Sequence, residues 1–457
     1  MNLFYFFLIL FPGAAWAHGI GEVYRLPVPL SYYLWGAGLA VAASFFVLGF
    51  FIRKAPEDAS PKIFKIPALS KIIFLFKIAG VFFLLLTILA GIFGADDYIL
   101  NFAPIFFWVF FLVGFIFVSC LVGNIWEKLN PWKTLGSWMG FSPFRESKFL
   151  GAFGVILLVL LFWWELSSGL SFIPSVIGFV LLGYTFVNIF CASIFKNWFR
   201  DGEVFSVMFG FIGNVAPFKI SEDNYAIVYE PYAKKLDGRI FTASTLGVAS
   251  VLLAGATFDG IKETQFWYDN FSLITSFGIL IVPFLFFVPY IAAIWLMRKL
   301  TKSEFTTMGL ARRFVVSLAP IAAGYILAHN FPLFIISLPA IYGIISDPFG
   351  FGWNIFGTAA LREGSLVLGA RAVWFTEIGL VVLAHIAGIW FAHLLAVKIF
   401  KNERTVLRSQ YPMMILMVLY TVATLWLLSQ PLVTAKPSTV GPAPIQLPPP
   451  QPAIPQQ

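Results

Sequence analysis

The chain has 457 residues, of which 60% are hydrophobic, 18% aromatic and only 11% charged. Soluble globular proteins carry about 25% charged residues, so this composition excludes a soluble enzyme and a disordered protein. The formal net charge of +8 does not indicate nucleic-acid binding, because the basic residues alternate with apolar runs along the chain instead of clustering. Cys120 and Cys191 both lie in apolar runs and are expected to be buried without a disulfide.

The amino-terminal segment has the features of a secretory signal peptide. Residues 3–12 are apolar and are followed by Pro12-Gly13 and by the Ala15-Trp16-Ala17 cleavage pattern. Cleavage after Ala17 removes residues 1–17 and makes His18 the first residue of the mature chain. Its α-amino nitrogen and one ring nitrogen are then available to chelate one metal ion, and such nitrogen ligands suit copper or zinc.

Hydropathy predicts an all-α protein, a polytopic transmembrane helical bundle within residues 18–430. Apolar runs long enough to span a bilayer number about ten in the mature chain, namely 31–52, 72–94, 102–124, 149–167, 172–195, 241–258, 272–297, 314–335, 373–397 and 412–430. The 241–258 run is short. The 331–346 run has a second interpretation, as a re-entrant segment.

The distribution of lysine and arginine predicts the orientation of these spans. The connections at 53–71, 125–148, 196–240, 298–313 and 398–410 are basic, whereas the 95–101 turn contains Asp96 and Asp97 and no cation. The basic connections are therefore expected in the cytoplasm. This predicts a multi-pass protein of a bacterial-type inner (plasma) membrane, with both mature termini outside.

Three further segments have an unusual composition. Residues 199–218 mix apolar residues with glycine and proline, which predicts an interfacial helix. Residues 346–371 are rich in glycine and aromatic residues, which favours an ordered lid or cavity wall on the outer side. The Pro-rich tail 431–457 is predicted to be disordered.

Three of the four histidines lie inside predicted membrane spans, and they indicate a functional site. Ionisable side chains inside membrane spans usually face a partner or a cavity. His329 is expected in the outer third of its span and His385 near the midplane, so we predict a divalent metal site (copper or zinc) formed by His18, His329 and His385. His393 lies about 12 Å from His385 along the helix axis and is rotated by about 80°, so the two do not easily share an ion. The alternative is that the intramembrane histidines only form hydrogen bonds between helices.

Acidic residues at the outer ends of the spans complete this predicted site. They are Glu165, Asp259, Asp347 and Glu377. A bound metal ion activates water and polarises a substrate oxygen, and a carboxylate orients that water or accepts its proton. Asp259 and Glu377 are the predicted catalytic residues.

Several strings, in order over nearly the whole chain, resemble the fenitrothion hydrolase-like family of bacterial polytopic membrane proteins. They include Ala17-His18-Gly19, Leu26-Pro27-Val28-Pro29, Asn130-Pro131-Trp132, Gly202-Glu203-Val204-Phe205-Ser206-Val207, Phe258-Asp259-Gly260, Ala328-His329, Asp347-Pro348-Phe349-Gly350, Gly352-Trp353-Asn354, Phe356-Gly357-Thr358, His385 and Ala392-His393. The resemblance implies a membrane-bound hydrolase that cleaves the phosphorus–oxygen–aryl ester of an organophosphorus compound. It assigns no catalytic residues.

Four functions follow as hypotheses. The first is a metal-dependent hydrolase of an apolar phosphotriester, and the second is a copper-binding or redox membrane protein that uses the N-terminal histidine. A haem protein with His329 and His385 as axial ligands is the third, and a transporter is the fourth. The expected partners are membrane lipid and an apolar small-molecule substrate, with no nucleic acid. The sequence leaves open whether a second membrane subunit is needed.

Overall fold

The computed structural model describes residues 30–51, 60–221, 223, 226–236, 238–362, 368–400 and 402–428. The predicted signal peptide, His18 and the Pro-rich tail lie outside the described residues.

The described part of the chain is an all-α bundle, which confirms the predicted fold class. Its helices are α1 Leu30–Phe51, α2 Leu69–Phe93, α3 Phe102–Val122, α4 Trp126–Leu129, α5 Pro131–Trp138, α6 Leu150–Ser167, α7 Pro174–Ile194, α8 Val204–Ile212, α9 Tyr232–Lys235, α10 Ala243–Lys262, α11 Gln265–Phe271, α12 Thr275–Thr301, α13 Thr307–Phe314, α14 Ala319–Ser346, α15 Ala370–Ile399 and α16 Glu403–Leu428. Residues Ile105–Val113 of α3 are π-helical.

Nine helices or helix pairs in the described ranges are long and apolar enough to cross a membrane, so the chain is a multi-pass membrane protein. They account for nine of the ten predicted spans. The remaining one, α1, is apolar over Ser31–Val47. Helix α2 exposes large apolar side chains such as Phe74, Leu75 and Phe82, which a membrane-embedded protein presents to lipid.

Helix α10 lies at the centre of the bundle. It packs against α6, α8, α12, α14 and α16, and its residues from Leu246 to Phe258 are mostly buried. Helix α8 follows a π-helical turn at Trp198–Gly202 and is also buried on nearly every side. The predicted interfacial helix at 199–218 is therefore wrong: its apolar residues form part of the protein core instead of facing the lipid surface.

Helix α14 corrects a second interpretation. It runs without a break through Ser346, although it contains Pro332 and Pro339, so residues 331–346 are not a re-entrant segment. Its 28 residues extend for about 42 Å, which exceeds the roughly 30 Å of the hydrocarbon core. Proline is tolerated inside such helices because neighbouring groups satisfy the backbone acceptors that it leaves unpaired.

A small antiparallel sheet, which the hydropathy pattern did not predict, joins two of the basic connections. Strand β1 Lys62–Lys65 pairs with β3 Ala226–Tyr229, and β2 Phe218–Ile220 pairs with the other edge of β3. The sheet ties the connection between α1 and α2 to the one between α8 and α9.

Candidate functional site

The central feature of the candidate site is a partly buried, hydrogen-bonded pair of side chains, one on α10 and one on α14. Nε2 of His329 lies 2.8 Å from Oδ2 of Asp259, and the two side chains are only 20% and 18% exposed. Lys262, one turn further along α10, lies 3.1 Å from Oδ1 of the same carboxylate. Its ammonium also donates to the carbonyl of Leu166 at the end of α6. Asp259 and His329 are 70 residues apart in the sequence, and the packing of α10 against α14 brings them together.

Three more carboxyl groups lie within electrostatic range of this pair. Glu165 on α6, Glu263 after α10 and Glu377 on α15 are close enough for their charges to act on His329 or Asp259. Burial and the Asp259 charge raise the pKa of Glu263. We call these six residues, Glu165, Asp259, Lys262, Glu263, His329 and Glu377, the acid–histidine cluster.

The cluster contains more acid than base. Four carboxyl groups face one lysine and one histidine, so full ionisation leaves a net negative charge even with His329 protonated. Burying such an excess of like charge is unfavourable, and a bound cation or proton relieves it. One carboxylate oxygen, Oε2 of Glu165, is buried without a hydrogen-bond partner among the described residues.

A cavity of about 20 Å³ adjoins the cluster, which is room for roughly one water molecule. Glu165, Asp259 and Asn330 provide its polar lining, and apolar side chains of α3, α6, α8, α10 and α14 complete it. A water molecule placed there has carboxyl and amide groups as hydrogen-bond partners.

The structure places His385 apart from His329. Helices α14 and α15 run antiparallel, because Gly324 packs on Ala384 while Gly388 packs on Ser317. His385 is therefore level with Gly324, and His329 lies five residues, or about 8 Å, further along α14. Nδ1 of His385 is 2.8 Å from the Val381 carbonyl of its own helix, and its Nε2 has no partner within the described ranges.

These positions bear on two of the sequence-based hypotheses. The separation of His329 from His385 along the helix axis does not favour these two residues as axial ligands of one haem. Nδ1 of His393 lies 2.7 Å from Nε2 of Gln410. This contact links α15 to α16, as predicted by the alternative in which the histidines form hydrogen bonds between helices.

Asp347 does not join the cluster and instead organises the loop that follows α14. Its carboxylate accepts hydrogen bonds from the backbone N–H groups of Phe351 and Gly352, at 3.0 and 2.7 Å. Gly350 and Gly352 have positive φ angles of 71° and 84°, which allow this tight turn. The loop in turn binds the start of α3, since Pro348 and Phe349 accept backbone hydrogen bonds from Phe102 and Ala95.

The described structure does not bring the predicted metal ligands together. In the described part of the chain, no group of three or more histidine, cysteine, aspartate or glutamate side chains is arranged to hold a metal ion. His18, the third predicted ligand, lies outside it. The described donors that fit a cation best are His329 and the carboxyl groups around it, so a metal site there needs a further ligand.

Sequence reasoning missed a second buried carboxylate, Glu203 at the start of α8. It is fully buried and accepts hydrogen bonds from the Trp126 indole, the Asn130 amide, the Tyr184 hydroxyl and the Ser206 hydroxyl. The backbone N–H groups of residues 205 and 206 donate to it as well. The signal is an acid directly before the apolar residues 204–212, but the sequence analysis assigns that apolar run to the membrane interface. Six donors satisfy this carboxylate, which indicates a structural role.

The geometry of the Asp259–His329 pair suits proton transfer. An ionised aspartate only accepts hydrogen bonds, so a neutral His329 carries its proton on Nε2 and keeps a lone pair on Nδ1. A histidine oriented in this way acts as a general base, and the same orientation strengthens a histidine as a metal ligand.

Comparison of the chain with protein-family models, with curated proteins and with solved structures gives no match. The fold and the site together define a multi-pass membrane protein with a partly buried acid–histidine cluster.

Proposed function

We propose that this protein is a membrane-embedded hydrolase that acts on uncharged esters, with an aryl phosphotriester as the best candidate class. The observation that supports it most is the Asp259–His329 pair, 2.8 Å apart, whose aspartate lines a cavity the size of one water molecule. The sequence resemblance to the fenitrothion hydrolase-like family supports the choice of ester. An uncharged, apolar ester also partitions into lipid, from which it reaches the helices.

The reaction assigned to these residues is general-base hydrolysis. His329 accepts a proton from water at Nδ1 while Asp259 holds the proton on Nε2. The water oxygen forms a bond to phosphorus and the bond from phosphorus to the aryl oxygen breaks. The proton then passes to the aryloxide, so the products are a dialkyl phosphate and a phenol. Glu377, the second predicted catalytic residue, lies near enough to act electrostatically on His329 during this transfer.

Copper or zinc remains part of the proposal as a bound cation. His18 and His329 are the proposed ligands, and the acid excess of the cluster favours a cation there. The described residues alone do not complete the site, so no step of the reaction is assigned to the metal ion. The proposed setting is the bacterial inner membrane, with both ends of the mature chain and the cluster on the outer side.

The test is release of nitrophenol from a dialkyl nitrophenyl phosphotriester by the purified full-length protein in lipid vesicles. We expect His329→Gln and Asp259→Asn to lower kcat/KM by about 100-fold or more, because general-base catalysis contributes 10²–10⁴-fold. Asp97→Asn, the same chemical change in the exposed 95–101 turn, should leave kcat/KM unchanged.

Three results would change the proposal. Absence of hydrolysis both by purified folded protein and by membranes containing it would rule out the ester hydrolase. Near-stoichiometric copper without hydrolysis would favour the copper-binding or redox alternative. Activity in membranes that is lost on purification would point to the second membrane subunit.

A further inference from the structure

A second cavity, of about 290 Å³, lies between α2, α3 and the α4–α5 segment. None of its lining residues belongs to the acid–histidine cluster. Nine of its sixteen lining residues are aromatic, including Phe76 and Phe83 on α2 and Phe107 on the π-helical part of α3. Phe76 is 57% exposed, so at this end the cavity opens to the surroundings of the helical bundle. We call it the aromatic pocket.

The polar atoms in the lining of the aromatic pocket are already hydrogen-bonded. The Thr87 hydroxyl donates to the Phe83 carbonyl of its own helix at 2.6 Å. The indole N–H of Trp126 donates to Glu203, and that of Trp132 to Thr185. A ligand that needs hydrogen bonds would lose its hydration here without compensation, so the pocket suits a hydrocarbon.

The length of the aromatic pocket favours an extended hydrocarbon chain over a compact apolar molecule. Its wall on α2 extends from Phe76 to Thr87, eleven residues or about 16 Å along the helix axis. One leaflet of the hydrocarbon core is about 15 Å thick, half of the roughly 30 Å total. An extended acyl chain of a lipid matches this dimension, whereas a compact apolar molecule would fill only part of it.

Three lysines adjoin the lining residues at the Phe76 end. Lys77 follows Phe76, Lys128 precedes Leu129, and Lys133 follows Trp132. Burial lowers the pKa of Lys133, and the nearby charges of Lys128 and Lys77 lower it further, although Glu127 opposes them. The charges of Lys128 and Lys77 thus act on the Lys133 ammonium, which donates to the Glu127 carbonyl at 3.1 Å, and an anion beside these lysines would offset that repulsion.

We propose that the aromatic pocket binds one acyl chain of an anionic phospholipid whose phosphate group lies against Lys77, Lys128 and Lys133. Apolar burial holds the chain, and the lysines select the charge of the headgroup. This site is independent of the proposed hydrolase activity and contributes to the stability of the α2–α3 region.

The test uses the full chain in detergent, titrated with phosphatidylglycerol and with phosphatidylcholine of identical acyl chains, and monitors bound lipid by native mass spectrometry. We expect preferential binding of phosphatidylglycerol. The triple variant Lys77→Gln, Lys128→Gln and Lys133→Gln should lower that preference at least tenfold, since each lysine near a membrane surface contributes about fivefold. Ala79→Phe, which fills the pocket, should reduce binding of both lipids.

The matched control replaces Lys148, Lys234 and Lys302 by glutamine, the same change in charge in other basic connections, and should keep the preference. Equal binding of the two lipids by the unmodified protein would overturn the headgroup contact. Unchanged binding by Ala79→Phe would overturn the acyl-chain site. If Ala79→Phe does not fold, the lysine variant decides, because it leaves the core intact.

Discussion

The buried ionisable residues of this protein fall into two groups that differ in how completely they are hydrogen-bonded. Glu203 accepts six hydrogen bonds and His393 links two helices. Glu165, by contrast, has a buried oxygen without a partner among the described residues, and His329 keeps a ring nitrogen that is not engaged by Asp259. A fully bonded group stabilises a fold, whereas spare donors and acceptors beside a water-sized cavity can act on a ligand.

Glu203→Gln tests the structural group. The amide nitrogen of glutamine cannot accept, so at least two of the six donors lose their acceptor inside the core. Each unsatisfied buried donor costs about 1–3 kcal/mol, so we expect a loss of about 3 kcal/mol or more of stability. Thermal unfolding of the detergent-solubilised protein would measure this loss. Glu304→Gln, at an exposed position, should change stability by no more than about 0.5 kcal/mol.

The metal prediction is tested by the metal content of the mature protein. His18→Ala and His329→Gln should each remove a near-stoichiometric copper or zinc ion, as measured by mass spectrometry. The variant His385→Gln tests whether the metal site includes His385. In the structure this side chain bonds the backbone of its own helix and lies about 8 Å from His329 along the helix axis. We expect this variant to retain the metal. Loss of the metal in His385→Gln would restore the ligand set predicted from sequence, and metal-free unmodified protein would remove the metal from the proposal.

At the scale of single elements, close packing depends on small residues where helices cross. A Cβ atom on Gly178 of α7 would lie 2.8 Å from the Ile92 side chain and 2.9 Å from the Ile92 backbone nitrogen on α2. Gly91 on α2 approaches the same point of α7 from the other side. Glycine at such crossings lets membrane helices approach each other closely.

Gly178→Ala should therefore separate α2 from α7. Because the obstacle includes backbone atoms, which cannot rotate away, we expect a loss of about 1–3 kcal/mol. Gly183→Ala is the matched control on the same helix, since a Cβ atom there meets nothing within 4 Å. Thermal stability of the two variants provides the comparison, and equal stability would mean that the crossing adjusts.

Elements also differ in how far sequence predicts them. Long apolar runs predict α2, α3, α6 and α7 to within three residues, because a span must satisfy its own backbone hydrogen bonds inside lipid. Helix α8 was predicted only as an interfacial helix, and the small sheet was not predicted. The apolar residues of α8 are too few to span, and only the surrounding helices show that they are buried. The strands of the sheet are three or four residues long and pair across distant connections.

For the molecule as a whole, the orientation in the membrane is the prediction to test. The basic connections are expected inside, and the 95–101 turn outside. Asp97→Cys should react with a membrane-impermeant thiol reagent added to intact cells, and Lys302→Cys should react only after lysis, both in a background lacking Cys120 and Cys191. Both positions are exposed. The opposite labelling pattern would invert the proposed topology and place the cluster on the inner side.

Sequence alone is enough to assign this chain to the multi-pass membrane proteins and to locate most of its spans, because apolar length and basic connections follow from the thickness and charge preferences of a bilayer. It also pointed to Asp259 and His329, since ionisable residues in apolar runs are costly and therefore conspicuous. Which of these residues meet depends on how the helices pack in three dimensions. Contact depends on how far each helix is shifted along its neighbours and on which face it turns toward them. This packing places Asp259, with Lys262 beside it, against His329, and it sets His385 about 8 Å from His329 along the helix axis. It also surrounds Glu203 with six hydrogen-bond donors.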